Sequence, residues 1–396
     1  MEVRLDLQEA WVRIALIAED YYPQLGGVPE HVHNLALQFR ARGHTVTIVT
    51  SRMQERHRDE DFVHRVGRSL VIYANGGVAR ITLGFRLGQR LEALFSGRFD
   101  VVHVHGGLAP TFGVVAPLAA RRAGIPVVAT FHCWFESSPA CLMLRRPLQH
   151  LLDLHAARIA VSEPVVDAMS RYFRADWEVI PNGVDLGHFQ PAGRRPPGPG
   201  TFAPRLLFLH RLEPRNHLGT LLEAMPAILA RFPAAQLAVA GDGPWRRYYE
   251  RQAAPLGSAV RFLGRIVDRP AEYRSADLYL CPTTQGSFGI TLLEAMACGT
   301  PMVVADSPGF RALVNGGREA VTLAHDDPAL WSDTIGELLG DPARRAAMSA
   351  AGVAKASHYG WPLVAEQVLA VYKRVLHRRS RRRLTCARRL ALVRPL

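Results

Sequence analysis

The sequence predicts an α/β protein made of two doubly wound, Rossmann-like halves joined by one linker. Three observations predict it. Short continuous apolar runs alternate with helix-like stretches from residue 12 to residue 324. Runs without polar alternation suit parallel strands covered by helices on both faces. The alternation breaks once, over the Pro- and Gly-rich string PAGRRPPGPGTFAP at 191–204, and then restarts. Finally, 396 residues are enough for two domains with cores of their own.

Taken in order, VRIALIA (12–18) reads as a strand, followed by a turn at GGVP and a helix over EHVHNLALQFRARGH. TVTIVT (45–50), FDVVHVHG (99–106), PVVATFH (126–132) and RIAVS (158–162) complete a first domain over 1–190. Beyond the linker, RLLFLHR (205–211), QLAVAG (236–241), VRFLG (260–264), DLYLCP (277–282), MVVAD (302–306) and AVTLA (320–324) build a second domain over 205–360. A last helix over about 361–378 is expected to pack back on the first domain, ahead of a basic tail at 379–396. In such folds ligands bind beyond the carboxyl ends of the strands, here in the cleft between the halves.

Composition narrows the class. Hydrophobic residues make up 48% and charged residues 21%, an ordinary globular balance. No apolar run reaches the ~20 residues of a membrane span. The opening MEVRLDLQEAW carries acids and no basic n-region, so a secretory signal is not expected. Cysteines at 133, 141, 281, 298 and 386 form no CxxC pair, which argues against a disulfide framework or a structural zinc site and for a reducing cytoplasm. The 16 histidines show no HExxH or other metal spacing, and no metal is expected.

The net charge is +13, and ten Lys and Arg with no acid lie from Lys373 onward, so the body of the chain is nearly neutral. That tail reads as a solvated charge run or as a segment drawn to an anionic membrane surface. No RNA-binding or helix-turn-helix signature accompanies it, so no nucleic acid is expected as partner. GFRLGQRLEALF (84–95) reads as an amphipathic helix, facing either a membrane or the core. Lysines number two, Lys355 and Lys373, so a phosphate clamp here has to be built from Arg, backbone amides and helix ends.

Four strings can carry chemistry. In LGGVPEHV (25–32), Gly26 and Gly27 let the backbone turn and approach a ligand where a helix begins, although the string also fits a plain tight turn. It is not GxGxxG, which disfavours a dinucleotide cofactor. RLEPRN (211–216) sets Arg211 and Arg215 around an acid at a strand end, as a phosphate clamp or as a solvated turn. GSFGITLLEAMACGTP (286–301) offers Ser287 as a helix cap and uncovered amides for a pyrophosphate, and Glu294 as a ribose-binding carboxylate. His132, ending PVVATFH, suits a sugar hydroxyl or a structural bond; His103 and His105 read as structural.

Together the strings GGV, DVVHVH, VATFH, RIAVS, IPNGVD, FLGR, SADLYLCP and SFGITLLEAMACGTP resemble the retaining glycosyltransferases of family 4, of GT-B fold. The resemblance runs from about residue 12 to 376 and is nearest to bacterial phosphatidylinositol mannosyltransferases. It implies that Gly26 and Gly27 lie against the donor phosphates and that His132 contacts the transferred sugar. Arg211 would hold the pyrophosphate with Arg215 beside it, joined by Gly289, Ile290 and Thr291. Ile266 and Asp268 would border the base, and Glu294 would bind the ribose. It implies no cofactor and no metal: a GDP- or UDP-sugar donor, mannose suggested, and a lipid-linked or glycan acceptor at the inner membrane face. Charge growing on the leaving diphosphate is then the main thing to stabilise.

Three departures stand against the family pattern. Gly286 occupies the place of a glutamate that touches the donor sugar. Asn216 stands where a clamp lysine is common. HCWFESS places Glu136 where the inositol-phosphate enzymes carry a lysine. A catalytically degenerate GT-B-fold binding protein is the alternative these departures raise.

Overall fold

The computed structural model describes residues 11–24, 26–53, 58–74, 77–108, 111–191, 203–314 and 317–392. The described chain divides into two compact units. One runs to Pro181, less Tyr73–Gly77, and takes in the segment from Trp361; the other spans Asn182–Gly360. The predicted linker, 191–204, lies outside the described residues except at its two ends.

In the first unit β1 (Arg13–Ala18), β2 (Thr45–Ser51) and β3 (Val63–Val66) are followed by β4 (Arg68–Ala74) and β5 (Gly77–Leu83), a separate two-stranded sheet. Then come β6 (Val101–His105), β7 (Val127–Phe131), β8 (Ala157–Ala160) and β9 (Glu178–Val179). The main sheet is parallel, in the order β3-β2-β1-β6-β7-β8-β9. Helix Gly27–Ala41 and the last helix, Trp361–Leu392, cover one face, with Leu35, Phe39, Val364, Val368 and Tyr372 in a common core. On the other face, Leu87, Leu91 and Phe95 of helix Leu87–Phe95 pack with Phe112 and Ala116. The amphipathic stretch at 84–95 therefore spends its apolar stripe on the core rather than on a membrane.

The second unit repeats the plan with β10 (Arg205–Leu209), β11 (Gln236–Ala240), β12 (Val260–Gly264), β13 (Leu278–Cys281), β14 (Met302–Ala305) and β15 (Ala320–Leu323). Their order is β12-β11-β10-β13-β14-β15, again parallel. All the predicted strands are present. The strands β3, β4, β5 and β9 were not read: β3 and β9 are short and largely unburied, while β4 and β5 carry apolar runs, SLVIYA and ARITL, that the sequence reading passed over.

Each sheet reverses its strand order once, between β1 and β6 and between β10 and β13. At such a switch point the flanking crossovers leave on opposite faces and open a crevice at the strands' carboxyl ends. The last helix continues to Leu392 through the Arg-rich segment, which contains neither Gly nor Pro before Pro395 and is rich in helix formers. Among the described residues, no helix is long and apolar enough to cross a membrane.

Candidate active site

The first unit's switch point gathers glycines and imidazoles. Gly26 precedes helix Gly27–Ala41, and no side chain caps that helix. Gly26 is exposed and its backbone is extended, and a Cβ there would meet nothing closer than Pro29 Cδ at 3.6 Å. Neither packing nor conformation demands glycine at 26, which is what close approach by a ligand would explain.

His132 follows β7, and its Nε2 lies 3.2 Å from Nδ1 of His105, at the end of β6. Burial pushes both imidazoles well below the usual histidine range, so both are neutral. His31, from the second turn of helix Gly27–Ala41, packs edge-on to His132 with ring centroids 4.7 Å apart. His103 is committed elsewhere: Nδ1 pairs with Tyr372 Oη at 2.6 Å and Nε2 with Thr130 Oγ1 at 2.7 Å. It is a structural histidine. His105 is not one in the same sense, because its Nε2 is buried without a hydrogen-bond partner.

In the second unit the switch point gathers charge. Glu213 is fully buried, and both arginines of RLEPRN close on it: Arg211 Nε at 3.2 Å from Oε1 and Arg215 Nη2 at 2.9 Å from Oε2. Their side chains remain 47% and 33% exposed, so donors not used by Glu213 face solvent. The sequence marked Glu213 only as the acid between them; here it is the anchor that fixes both guanidinium forks. Asn216 is not a phosphate-facing residue. It is buried, donates from Nδ2 to the Arg211 carbonyl at 2.7 Å, and accepts from Thr283 Oγ1 at 3.2 Å, which ties the loop to the end of β13.

Gly289, not Ser287, caps helix Ile290–Ala297. Its φ of +96° is left-handed, and no side chain caps the helix. The predicted Ser287 cap fails because the loop needs a glycine conformation immediately before the helix, one residue pair later than read. The N-cap residue, a glycine, gives the first amides, at Ile290 and Thr291, no side-chain cap, as an anion site requires. Glu294 is 2% exposed, with Oε1 2.9 Å from Arg269 Nη1 and Oε2 accepting from Tyr273 Oη at 3.0 Å. Ile266 and Asp268 follow β12; Asp268 caps helix Arg269–Ser275 by accepting from Ala271 N at 3.0 Å.

Gly286 has a packing reason. A Cβ built there falls against the edge of the Phe310 ring, 2.8 Å from Cδ1 and nearer still to Cε1. The same ring lies 3.0 Å from a Cβ built at Gly289. Phe310 therefore fills the space into which a side chain at 286 would start.

A phosphatidyl-myo-inositol mannosyltransferase of Mycobacterium tuberculosis is 35% identical over 373 residues, covering 92% of this chain and 97% of its own. The chain belongs to glycosyltransferase family 4. The family model Glycosyltransferase Family 4 matches residues 25–188, and the model Glycosyl transferases group 1 matches 203–341. A D-inositol 3-phosphate glycosyltransferase of Thermobispora bispora is 33% identical, over 73% of this chain and 74% of its own. The fold is shared with Anabaena HepE, solved with UDP and glucose, at TM-score 0.71 and 19% identity over 91% of this chain and 99% of that one. The pneumococcal O-GlcNAc transferase GtfA, solved with UDP and GlcNAc, superposes at TM-score 0.74 with 13% identity, over 93% and 99%. This family-4 member is a glycosyltransferase of GT-B fold. Sequence reading missed Glu213's role, Arg269, Tyr273 and Phe310. Their signals are an acid between two arginines, an Arg directly after Asp268, and aromatic residues remote in sequence from the helix they serve.

Proposed function

We infer that this glycosyltransferase moves a hexose from a nucleotide-diphosphate sugar, with retention of configuration, to a lipid-linked or polysaccharide acceptor. The observation that carries the reading is the pair Arg211 and Arg215, half-open to solvent and held on the buried Glu213. A carboxylate that orients two guanidiniums preorganises them for the charge that grows on a leaving diphosphate. The uncapped amides of helix Ile290–Ala297 add partial positive charge of the same sign. Glu294 takes the ribose hydroxyls, Ile266 and Asp268 border the base, and His132 contacts the transferred sugar.

Mannose is the sugar suggested by the names of the mannosyltransferase relatives, and GDP-mannose is the donor the family resemblance suggests; a UDP-sugar is the competing choice. Neutral His132 can accept or donate one hydrogen bond to a sugar hydroxyl without carrying charge. Acceptor deprotonation falls to the leaving phosphate, so no matched carboxylate pair is required of the chain.

Calorimetric titration with GDP, UDP and ADP tests the donor site. One nucleotide binds tightly in the parent and is lost in Glu294→Ala, with Glu294→Gln beside it because alanine strands Arg269. If Glu294→Gln and Glu294→Ala bind every nucleotide as the parent does, the assignment fails. Turnover of a sugar nucleotide that disappears in Arg211→Ala then separates an active transferase from a binding protein that has lost its chemistry, the reading Gly286 raises.

A further inference from the structure

His31, His105 and His132 come from three separate elements, and each offers a ring nitrogen within 4.8 Å of the other two. All three are buried, at 1%, 3% and 9% exposure. Imidazole nitrogens bound to one tetrahedral Zn²⁺ at about 2.0–2.1 Å stand about 3.3 Å apart. Nδ1 of His105 and Nε2 of His132 are already 3.2 Å apart. His31 has to close at most about 1.5 Å of the 4.8 Å limit to reach that spacing, and the fourth position is left to water.

The chemistry of the donors agrees. His105 and His132 are neutral, as ligands must be, and the groups acting on them electrostatically are other histidines rather than acids. Three imidazoles without thiolate or carboxylate suit a borderline cation such as Zn²⁺ and not Mg²⁺ or Ca²⁺, which take oxygen ligands. His103, one residue pair back on β6, has both nitrogens committed to Tyr372 and Thr130 and is not part of the set.

We propose that His31, His105 and His132 form a Zn²⁺ site whose occupation withdraws His132 from the donor sugar and so inhibits transfer. Binding replaces the hydrogen between His105 and His132 with the metal. Each ring keeps its one proton by moving it to the nitrogen that does not coordinate, so nothing is oxidised or reduced. The inhibitory half rests on His132 contacting the sugar; the binding half does not.

The test is titration of the full chain with Zn²⁺ against a chromophoric chelator, followed by Co²⁺ absorption. Cys133 is replaced by Ser throughout, because that exposed thiol adjoins His132. One equivalent binds, and Co²⁺ gives the intense visible bands of a tetrahedral nitrogen and oxygen set. His31→Asn and His105→Asn each weaken Zn²⁺ by at least the ~10–100-fold that loss of an outer-shell partner costs. His103→Asn binds as the parent does. Unchanged affinity in both ligand variants, or no stoichiometric binding by a folded parent, overturns the site. In an active parent, Zn²⁺ lowers turnover and a chelator restores it, and His31→Asn brings the ratio with and without Zn²⁺ towards one. Tight Zn²⁺ binding with undiminished turnover overturns the inhibition. Since the titration needs no turnover, a failed donor assignment leaves its result readable.

Discussion

Glu294 Oε1 lies 2.9 Å from Arg269 Nη1, and the carboxylate is 2% exposed while the arginine side chain is 26% exposed. The Arg269 guanidinium also sits over the Phe189 ring, 5.4 Å from its centroid. The pair, with the Tyr273 hydroxyl on the other carboxylate oxygen, fixes the direction in which the carboxylate points. Arg269→Ala is expected to destabilise the protein by about 3 kcal/mol, since it leaves a buried charge unpaired. It should also weaken nucleotide binding, although Arg269 is not assigned to the nucleotide. Urea unfolding and calorimetry on the same variant check both; unchanged nucleotide affinity would mean that the Glu294 orientation is set by Tyr273 alone.

Restoring the family glutamate is not a simple gain here. Gly286→Glu has to displace the Phe310 ring, which is 2% exposed. Overpacking of that kind costs about 1–3 kcal/mol. The double variant Gly286→Glu, Phe310→Leu should recover part of it, because the smaller side chain vacates the ring's edge. Thermal unfolding of the two variants decides. A Gly286→Glu protein as stable as the parent would show that the ring swings aside freely.

Asn216→Lys, the other family-restoring change, is expected to lower stability without raising nucleotide affinity. It removes two buried hydrogen bonds, to the Arg211 carbonyl and from Thr283, each contributing about 1 kcal/mol. It also forces an ammonium into a 6%-exposed site. Tighter GDP or UDP binding in this variant would mean that the lysine reaches out of the loop to the phosphates.

Acid should destabilise both units from the same cause. Burial pushes His155 in the first unit and His210 in the second down to about 4, and Arg215 adds to the effect at His210. Unfolded histidine titrates near 6.5, so between about pH 6.5 and 4 the unfolded chain binds protons that the folded chain does not. Stability is therefore full above pH 6.5 and falls as pH drops through that window. Each such histidine removes about 3 kcal/mol by pH 4. Urea midpoints at pH 7.5, 6 and 5 should fall in that order, and His210→Gln should flatten the slope for the second unit. A midpoint independent of pH would mean that these histidines are hydrated.

Much of the protein was legible along the chain. Continuous apolar runs specify buried parallel strands whatever their partners, and the strings around Gly26, Arg211, Gly289 and Glu294 lie at strand or helix ends because turn and capping chemistry is local. The residues that decide the site's behaviour were not legible, because burial and packing are set by the folded chain rather than by the local string. Phe310 meets Gly286 across a strand and a helix. Glu213 reads as one more surface acid until burial makes it the counter-ion of two arginines. His31, His105 and His132 show no ligand spacing; only the parallel register of β6 and β7 and the packing of helix Gly27–Ala41 bring their rings together. Local propensity and pattern are set by neighbours in sequence. Burial, pairing and the free energy of a charge are set by neighbours in space, and those exist only once the chain has folded.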